Sequence, residues 1–349
     1  MNILVTGGAG YLGSVIVPKL LVRRHRVRVL DVGYFGIGHL RACQPPPEIL
    51  RDDVRRVSTD PAFCAALLDG MDCVIHLAAV SNDPSAELQP ELTAEVNLAA
   101  TQALAEAARA RGCRFLFSSS CSVYGSAAGL LDEDGRTQPL TVYALSKIKA
   151  EEYLESMACA DWRPVILRNG TLFGYSPRMR FDLVANIFSL HSTLYDEIRI
   201  FGSGQHWRPF LHVQDCARAF LHFAELAAPS YLRYNIAHEN LRVIDLAQRF
   251  AQLNPRLRVE YTALPEPDAR DYRVSTTRAA ADGFVPRVDV MTGAEEMCAA
   301  IVSGVIPDPE SVFYRNAKWL SELTQIGGKN HRDLVGLMET MARIPGAGR

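Results

Sequence analysis

The chain has 349 residues, of which 48% are hydrophobic and 22% are charged, and its formal net charge is −2. This balance is typical of a folded protein with a substantial core, and it lacks the basic excess that binding to nucleic acid or to an anionic membrane surface requires. No apolar stretch approaches the length of a membrane span, and Met1 leads directly into a predicted strand with no room for a signal peptide, so we expect a cytoplasmic protein.

The eight cysteines form no Cys-x-x-Cys pair, and no His/Cys spacing suits zinc. We therefore predict reduced thiols and no metal site.

The chain opens with an apolar run at 2–6, a turn that contains Gly7, Gly10 and Gly13, and a helical pattern. This order predicts a strand, a phosphate-binding turn and a helix whose free N–H groups face an anion. A second predicted strand, 27–31, ends at Asp31, where a carboxylate can hydrogen-bond the adenosine ribose and would repel a 2′-phosphate. The pattern therefore favours NAD over NADP.

Further strands are predicted at 49–54, 73–78, 113–118 and 163–168, and the helices between the strands lie near 11–23, 61–68, 88–111 and 141–158. Such alternation is typical of a Rossmann-type α/β fold, a doubly wound parallel sheet covered on both faces. We assign residues 1–170 to this NAD-binding domain.

Beyond residue 170 the alternation stops. The pattern predicts a helix near 181–194, a strand pair near 198–212 and a helix at 213–227. We expect residues 171–306 to form a smaller C-terminal α/β substrate lobe, interleaved with the first domain, that closes over the carboxyl ends of the strands. Residues 307–349 are predicted to form a helical surface tail without chemistry.

Tyr143 and Lys147 lie one turn apart on the predicted helix 141–158, with their Cβ atoms about 6 Å apart. We expect the ammonium to lower the pKa of the phenol from its ordinary value near 10. Tyr143 would then exchange a proton with a hydroxyl or a ketone while hydride moves to or from a nicotinamide, and Ser120 would hydrogen-bond the reacting oxygen. An exposed helix pair is the alternative for these two residues taken alone, but the glycine turn and the serine run favour catalysis.

These motifs, in this order, resemble the extended short-chain dehydrogenase/reductase family, the NAD-dependent sugar-nucleotide epimerases and dehydratases, over roughly residues 1–300. The resemblance implies NAD as cofactor, a nucleotide-linked sugar as substrate, and a homodimer paired through the helices near 88–111 and 141–158. It implies catalytic roles for Tyr143, Lys147 and Ser120. It implies cofactor contacts from Gly7, Gly10, Tyr11, Leu12, Asp31, Asp53, Val54, Leu77, Ala78, Ala79 and Lys147.

The resemblance also places the substrate diphosphate on Arg208, and a guanidinium suits a phosphate geometrically. Arg270 is either a second diphosphate ligand or part of a surface salt bridge. Ser81 and Asn82, which follow the fourth strand, either line the pocket beside the nicotinamide or form a plain polar turn. For Arg178 and Arg180, which border the helix near 181–194, we prefer a solvated loop to an anion site.

Three positions depart from the family pattern. The dehydratases carry an Asp-Glu pair where this chain has Cys121 and Ser122, and a decarboxylase branch carries glutamate at the second position. Neither residue is an acid or base for those reactions at neutral pH, so dehydration and decarboxylation are disfavoured. The asparagine that touches the nucleotide sugar in the epimerases is replaced by Thr171, and Asn169 lies two positions earlier as a candidate substrate ligand.

The leading hypothesis is a sugar-nucleotide 4-epimerase that works by transient oxidation and hydride return on a retained NAD. The first alternative is a ketoreductase or dehydrogenase, dependent on NAD or NADP, that acts on a nucleotide sugar or a nucleoside-like biosynthetic intermediate. The second alternative is a non-catalytic NAD-binding regulatory protein, because a fold alone does not establish activity.

Overall fold

The computed structural model describes residues 1–81, 83–262 and 268–327. The strands are Asn2–Thr6 (β1), Arg26–Leu30 (β2), Glu48–Leu50 (β3), Cys73–His76 (β4), Arg114–Ser120 (β5), Ser126–Leu131 (β6), Val165–Asn169 (β7), Thr171–Phe173 (β8), Glu197–Phe201 (β9), Trp207–His212 (β10), Arg233–Ile236 (β11), Glu239–Arg242 (β12), Arg258–Thr262 (β13) and Asp271–Val274 (β14). The α-helices are Gly13–Val22 (α1), Gly38–Arg41 (α2), Arg56–Thr59 (α3), Pro61–Leu67 (α4), Asp83–Leu88 (α5), Pro90–Ala94 (α6), Ala100–Ala110 (α7), Val142–Met157 (α8), Val184–Tyr195 (α9), Val213–Glu225 (α10), Val243–Leu253 (α11), Thr277–Ala281 (α12), Val290–Val302 (α13) and Asn316–Gly327 (α14).

The main sheet has seven strands in the order β11-β7-β5-β4-β1-β2-β3, and every neighbouring pair is parallel. This arrangement confirms the predicted Rossmann-type fold with its doubly wound parallel sheet. The seventh strand, β11, was not predicted. It lies beside β7, so a segment well beyond residue 170 extends the sheet of the first domain.

Helices cover both faces of this sheet, which explains why its strands are apolar throughout. Ile3, Leu4 and Val5 of β1 are fully buried. Ile3 and Val5 pack in one core cluster with α1 and α10, whereas Leu4 packs in a second cluster with α7 and α8. The carboxyl ends of the strands therefore remain the open edge of the sheet, where a ligand can approach.

The predicted helix 88–111 is divided in the structure. Pro90 begins α6 because its fixed φ and missing N–H suit a first helical position. A π-helical turn, Glu95–Ala99, then leads into α7. Asn97 in that turn accepts a hydrogen bond from the Val80 backbone N–H at 2.8 Å and donates to Ser146 Oγ at 3.0 Å, which joins the loop after β4 to α8.

The second region holds a three-stranded sheet, β12-β10-β8, and two pairs of parallel strands, β13-β9 and β14-β6. The prediction that two strands near 198–212 pair with each other was wrong. Ile198 and Ile200 of β9 face a third core cluster with Phe250 of α11. In contrast, β10 is buried between β8 and β12, so the two strands belong to different sheets.

No helix among the described residues is long and apolar enough to cross a membrane. In the same part of the chain, no three His, Cys, Asp or Glu side chains are grouped as metal ligands would be.

Candidate active site

The carboxyl ends of the main-sheet strands open into a cleft of about 2190 Å³. One side, here called the strand-end wall, consists of the glycine turn at 7–13, the residues that follow β2, β4 and β5, and the first turns of α8. The other side, here called the opposite wall, consists of residues 174–183 and 312–323. Residues of both walls line the cleft, and so do residues of 83–96, 169–172, 184–201 and 268–272, with Arg208.

The glycine turn has the close backbone approach that a dinucleotide diphosphate requires. Gly7 adopts φ +71°, and a Cβ there would lie 2.7 Å from the Ala78 nitrogen. A Cβ on Gly13 would lie 2.4 Å from the Gly7 oxygen, so α1 can begin this close to β1 only with glycine. At Gly10 a Cβ would meet only the Gly7 oxygen, at 3.3 Å, so that face of the turn is open. These residues fit a bound dinucleotide with its diphosphate at the N-terminus of α1.

Asp31 is fixed at the end of β2. Its carboxylate accepts hydrogen bonds from the backbone N–H groups of Ala9 at 2.9 Å and Gly33 at 2.7 Å. Burial raises the pKa of this carboxyl, and the two N–H donors together with the charges of Arg178 and Arg51 oppose that rise. The remaining lone pairs suit the ribose hydroxyls, as the sequence predicts.

The other predicted cofactor residues also line the cleft: Gly7, Gly10, Tyr11, Leu12, Asp53, Val54, Leu77, Ala78, Ala79 and Lys147.

The structure brings Tyr143, Lys147 and Ser120 together. Thr141 caps α8, and its Oγ1 accepts a hydrogen bond from the Ala144 N–H at 3.2 Å, which sets the direction of the helix at the cleft. Lys147 Nζ donates to the Ser118 carbonyl at 2.8 Å and lies 5.7 Å from the centre of the Tyr143 ring. Tyr143 and Ser120 both line the cleft, and Ser120 slightly opposes the rise in the pKa of Tyr143.

The expected effect of Lys147 on the phenol was wrong. Burial raises the pKa of Tyr143 to about 12, and the negative charge of Asp83 adds to that rise. Burial also lowers the pKa of Lys147 to about 7, so a large part of its charge is lost at neutral pH. Helical spacing predicted the proximity of the two groups, but it could not predict that both are removed from water.

A chain of charged groups, which the sequence did not reveal, joins Tyr143 to the predicted diphosphate ligands. Asp83 accepts a hydrogen bond from Thr141 Oγ1 at 2.5 Å and lies 3.1 Å from Arg270 Nη1. Asp268 accepts from Arg270 Nε at 2.7 Å and lies 3.0 Å from Arg208 Nη2. Arg208 and Arg270 thus converge in the cleft, and the pKa of the Asp268 carboxyl is held well below its usual range by these hydrogen bonds and charges.

The remaining candidate substrate ligands differ in what they contact. Ser81 Oγ lies in the cleft and accepts a hydrogen bond from Asn316 Nδ2 at 3.1 Å. Asn169 lies in the cleft wall, but its amide donates to Ser118 Oγ at 3.1 Å and to the Ser119 carbonyl at 3.2 Å. Asn82 lies outside the described residues.

Cys121 and Ser122 provide no charged group beside Ser120. Both are buried in the 3₁₀ turn Cys121–Tyr124. The Cys121 thiol donates to the Arg168 carbonyl at 3.1 Å, and burial raises its pKa far above its ordinary value. The thiol therefore remains protonated at neutral pH.

The interpretation of Arg178 and Arg180 as a solvated loop was wrong. Both side chains are buried in the cleft. Arg180 makes a two-pronged ion pair with Asp182, in which Nε and Nη2 each lie 2.9 Å from a carboxylate oxygen. No local pattern predicts the burial of Arg178, because it comes from packing against Phe35 and Asn316, which are distant in the chain.

The tail is likewise not a surface appendage in its described part. Trp319 Nε1 donates to the Tyr34 carbonyl at 2.8 Å, and the rings of Phe313 and Phe35 are 6.1 Å apart. Leu323 is buried, and residues 315–318 line the cleft. Residues 313–323 therefore pack on the loop after β2, beside the end of the cleft where the adenosine is expected.

A dinucleotide cradle on a Rossmann sheet, joined to a tyrosine, lysine and serine at the same strand ends, defines a nicotinamide-dependent enzyme. The sequence profile of the NAD dependent epimerase/dehydratase family matches residues 3–237, and the chain belongs to that family.

Individual relatives agree with this assignment. A UDP-glucose 4-epimerase of Mycolicibacterium smegmatis is 30% identical over 236 residues, which are 63% of this chain and 72% of that one. The solved UDP-glucose 4-epimerase of Thermotoga maritima with UDP-glucose has a TM-score of 0.77 at 25% identity and covers 87% of this chain and 100% of its own. The UDP-glucuronic acid 4-epimerase of Bacillus cereus, solved with UDP-glucuronic acid and NAD, has a TM-score of 0.75 at 25% identity and covers 87% of this chain and 99% of its own. The cofactor of this enzyme is NAD.

Proposed function

We propose that the protein is a sugar-nucleotide 4-epimerase that oxidises its substrate transiently to a ketone and returns the hydride without releasing NAD. The observation that carries this proposal is that Tyr143, Lys147 and Ser120 line the same cleft, next to Cys121 and Ser122, which bear no charge. These three residues, without an acid or base at positions 121 and 122, support oxidation and reduction at a single carbinol carbon.

Each residue has one role in this proposal. Tyr143 accepts the proton of the C4 hydroxyl and later returns it to the same oxygen, while Ser120 hydrogen-bonds that oxygen. Lys147 holds the nicotinamide ribose and provides positive charge beneath the phenol when protonated. Bound NAD supplies the two-electron acceptor, and the charge of its oxidised ring favours the phenolate beside it.

Arg208 and Arg270 are proposed to hold the substrate diphosphate. Their guanidinium groups converge on the Asp268 carboxylate, which supports the proposal that an anion binds between them. Binding of the diphosphate there would place the attached sugar towards Tyr143, because Asp83 contacts both Arg270 and the cap of α8.

The neutral pair Cys121 and Ser122 separates this proposal from the other reactions of the family. Elimination of water needs an acid and a base next to the ring, and neither a protonated thiol nor a hydroxyl meets that need at neutral pH. We therefore propose an enzyme that changes configuration and leaves the sugar otherwise intact.

The test is to incubate the purified enzyme with UDP-linked and other nucleotide-linked hexoses, without added cofactor, and to separate the products. Formation of the C4 epimer supports the proposal. If no panel member is epimerised and added NAD or NADH gives stoichiometric turnover, the protein is instead the dehydrogenase or ketoreductase of the first alternative. The Tyr143→Phe variant serves as the inactive control.

Two further assignments remain predictions. A homodimer paired through α7 and α8 would give twice the mass of one chain in light scattering. The mass of a single chain would contradict this prediction. The predicted cytoplasmic location can be tested by localising the protein directly in cells.

A further inference from the structure

The opposite wall is attached directly to the phosphate-binding turn. The Tyr11 hydroxyl donates to the Gly174 carbonyl at 2.6 Å and accepts from Asn186 Nδ2 at 3.1 Å. Ser176 Oγ donates to the Tyr11 carbonyl at 2.7 Å. Residues 174–176 therefore run alongside the turn, and Arg178 follows two residues later.

Arg178 is a buried cation with incomplete pairing. Its guanidinium lies 3.5 Å from the centre of the Phe35 ring, and Nη2 donates to Asn316 Oδ1. The Nε atom is buried without a hydrogen-bond partner. Within residues 1–81, 83–262 and 268–323, none of the observed ion pairs involves this arginine. Its neighbour Arg180, in contrast, is fully paired with Asp182.

A buried guanidinium with no carboxylate in direct contact is costly, and the more distant charges of Asp182 and Asp31 offset only part of that cost. Here the burial and the nearby charge of Arg180 lower the pKa of Arg178 to about 9. The phenyl ring and one amide oxygen compensate only part of this cost. The side chain is therefore arranged for an anion that enters the cleft.

The surroundings of Arg178 identify which part of the cleft that anion occupies. Its charge acts on Asp31 at the end of β2 and on His39, and His39 Nε2 lies 2.8 Å from Ser14 Oγ in the first turn of α1. The arginine thus lies near Asp31, which accepts a hydrogen bond from Ala9 of the glycine turn, and it follows Ser176, which donates to Tyr11 of the same turn. Arg208 and Arg270 belong to a separate cluster around Asp268.

We propose that Arg178 binds the diphosphate of NAD from the opposite wall, and that Asn316 of α14 holds the guanidinium in place for this contact. The diphosphate would then lie between the N–H groups of the glycine turn and a cation. Asn316 supports this geometry by three contacts, since it accepts from Arg178, donates through Nδ2 to Ser81, and donates its backbone N–H to Asp182 at 3.3 Å. The end of the chain becomes part of the cofactor site.

The test measures the binding of ADP-ribose, adenosine and UDP to the cofactor-free protein by calorimetry, in wild type, Arg178→Gln and Arg178→Lys. Arg178→Gln should weaken ADP-ribose binding by about 10- to 100-fold, as expected for loss of a charge-assisted contact, and should leave adenosine and UDP binding within about twofold. Arg178→Lys keeps the charge but lacks the planar guanidinium, so its affinity for ADP-ribose should lie between those of wild type and Arg178→Gln. Arg26→Gln, an exposed arginine at the far end of β2, is the matched control and should change nothing.

Each other outcome overturns the assignment. Equal loss of adenosine and ADP-ribose binding would mean that Arg178 only maintains the fold, whereas loss of UDP binding would place it in the substrate site. A selective loss of NADP relative to NAD would indicate a 2′-phosphate ligand. Unchanged ADP-ribose binding would exclude any contact with the diphosphate. The melting temperature without ligand shows whether a variant has folded, and we expect no decrease for Arg178→Gln because it removes a poorly paired buried charge.

The contribution of Asn316 is measured separately. Asn316→Ala should release NAD faster in a displacement experiment and should weaken ADP-ribose binding less than Arg178→Gln does, because the arginine is retained. In the combined variant the two effects should not add, since both act through one guanidinium. Full additivity would show that Asn316 does not act through Arg178.

Discussion

The two walls of the cleft are held by different physical means. The strand-end wall depends on backbone geometry: glycines allow β1, β4 and α1 to approach closely, and a capped helix presents Tyr143. The opposite wall depends on side chains from distant segments, such as Trp319 on Tyr34 and Asn316 on Arg178. We propose that the strand-end wall supplies the chemistry and the main cofactor contacts, whereas the opposite wall adds to the retention of the cofactor, and the predictions below test that division.

The largest effect is expected at the strand-end wall. Tyr143→Phe removes the group that transfers the proton, so turnover should fall by about 10²- to 10⁴-fold while NAD binding is retained. Tyr153→Phe, at a half-buried tyrosine of the same helix whose hydroxyl contacts Glu106, is the matched control. Turnover and NAD binding are measured in parallel. Near-normal turnover in Tyr143→Phe would contradict its catalytic role and favour the regulatory alternative.

The next largest effect is expected for Gly13→Ala, also at the strand-end wall. A Cβ there would collide with backbone atoms of Gly7 and Gly8, which cannot move without opening the turn. We expect a loss of about 1–3 kcal/mol in the free energy of unfolding and little NAD binding. Gly38→Ala is the matched control, since no atom lies within 4 Å of its Cβ position. Denaturant titration and calorimetry measure the two effects, and similar NAD binding in both variants would contradict the tight turn.

A pH effect is expected from Lys147. Burial lowers the pKa of Lys147 from 10.5 to about 7 in the folded protein. Between pH 7 and pH 10.5 the lysine is therefore protonated in the unfolded chain and neutral in the folded protein. The free energy of unfolding therefore rises with pH in this window, because the unfolded chain binds the extra proton. Below pH 7 the buried charge destabilises the folded protein fully. In Lys147→Met this rise should disappear. Urea unfolding of both proteins at several pH values between 7 and 10 measures it, and parallel pH curves would contradict the lowered pKa.

The smallest effect is expected at the opposite wall. Trp319→Ala removes a half-buried ring and its hydrogen bond to Tyr34, which should reduce the free energy of unfolding by about 2 kcal/mol. NAD should dissociate faster while the chemical step in single-turnover experiments stays unchanged. Glu322→Ala, exposed on the same helix, is the control. An equal decrease in the chemical step would show that the two walls are not separable.

The strand-end wall was predictable because its signals are local. Gly7, Gly10 and Gly13 predict a turn from spacing alone, and Asp31 is placed by the end of its own strand. Tyr143 and Lys147 are placed by helical periodicity. In each case fewer than about ten residues determine the geometry, so distant packing does not alter it.

The opposite wall could not be predicted in this way. Burial of Arg178 and Arg180 depends on Phe35, Asp182 and Asn316, and no local pattern relates these positions. The contacts of Asp83 were unpredictable for the same reason, since Thr141 and Arg270 become its partners only after folding. The prediction of a lowered pKa for Tyr143 was wrong because spacing gives the distance between two groups but not their desolvation.

The location of Asn316 has a consequence for how function is inferred across the family. The family profile ends at residue 237, far before this asparagine and the rest of α14. Two homologous enzymes can therefore share every motif that such a profile measures and still hold their coenzyme for very different times. Whether the coenzyme stays bound decides between a self-contained isomerase and a reductase that needs fresh reducing equivalents, so the proposed role of Asn316 would make α14 informative where the shared motifs are not.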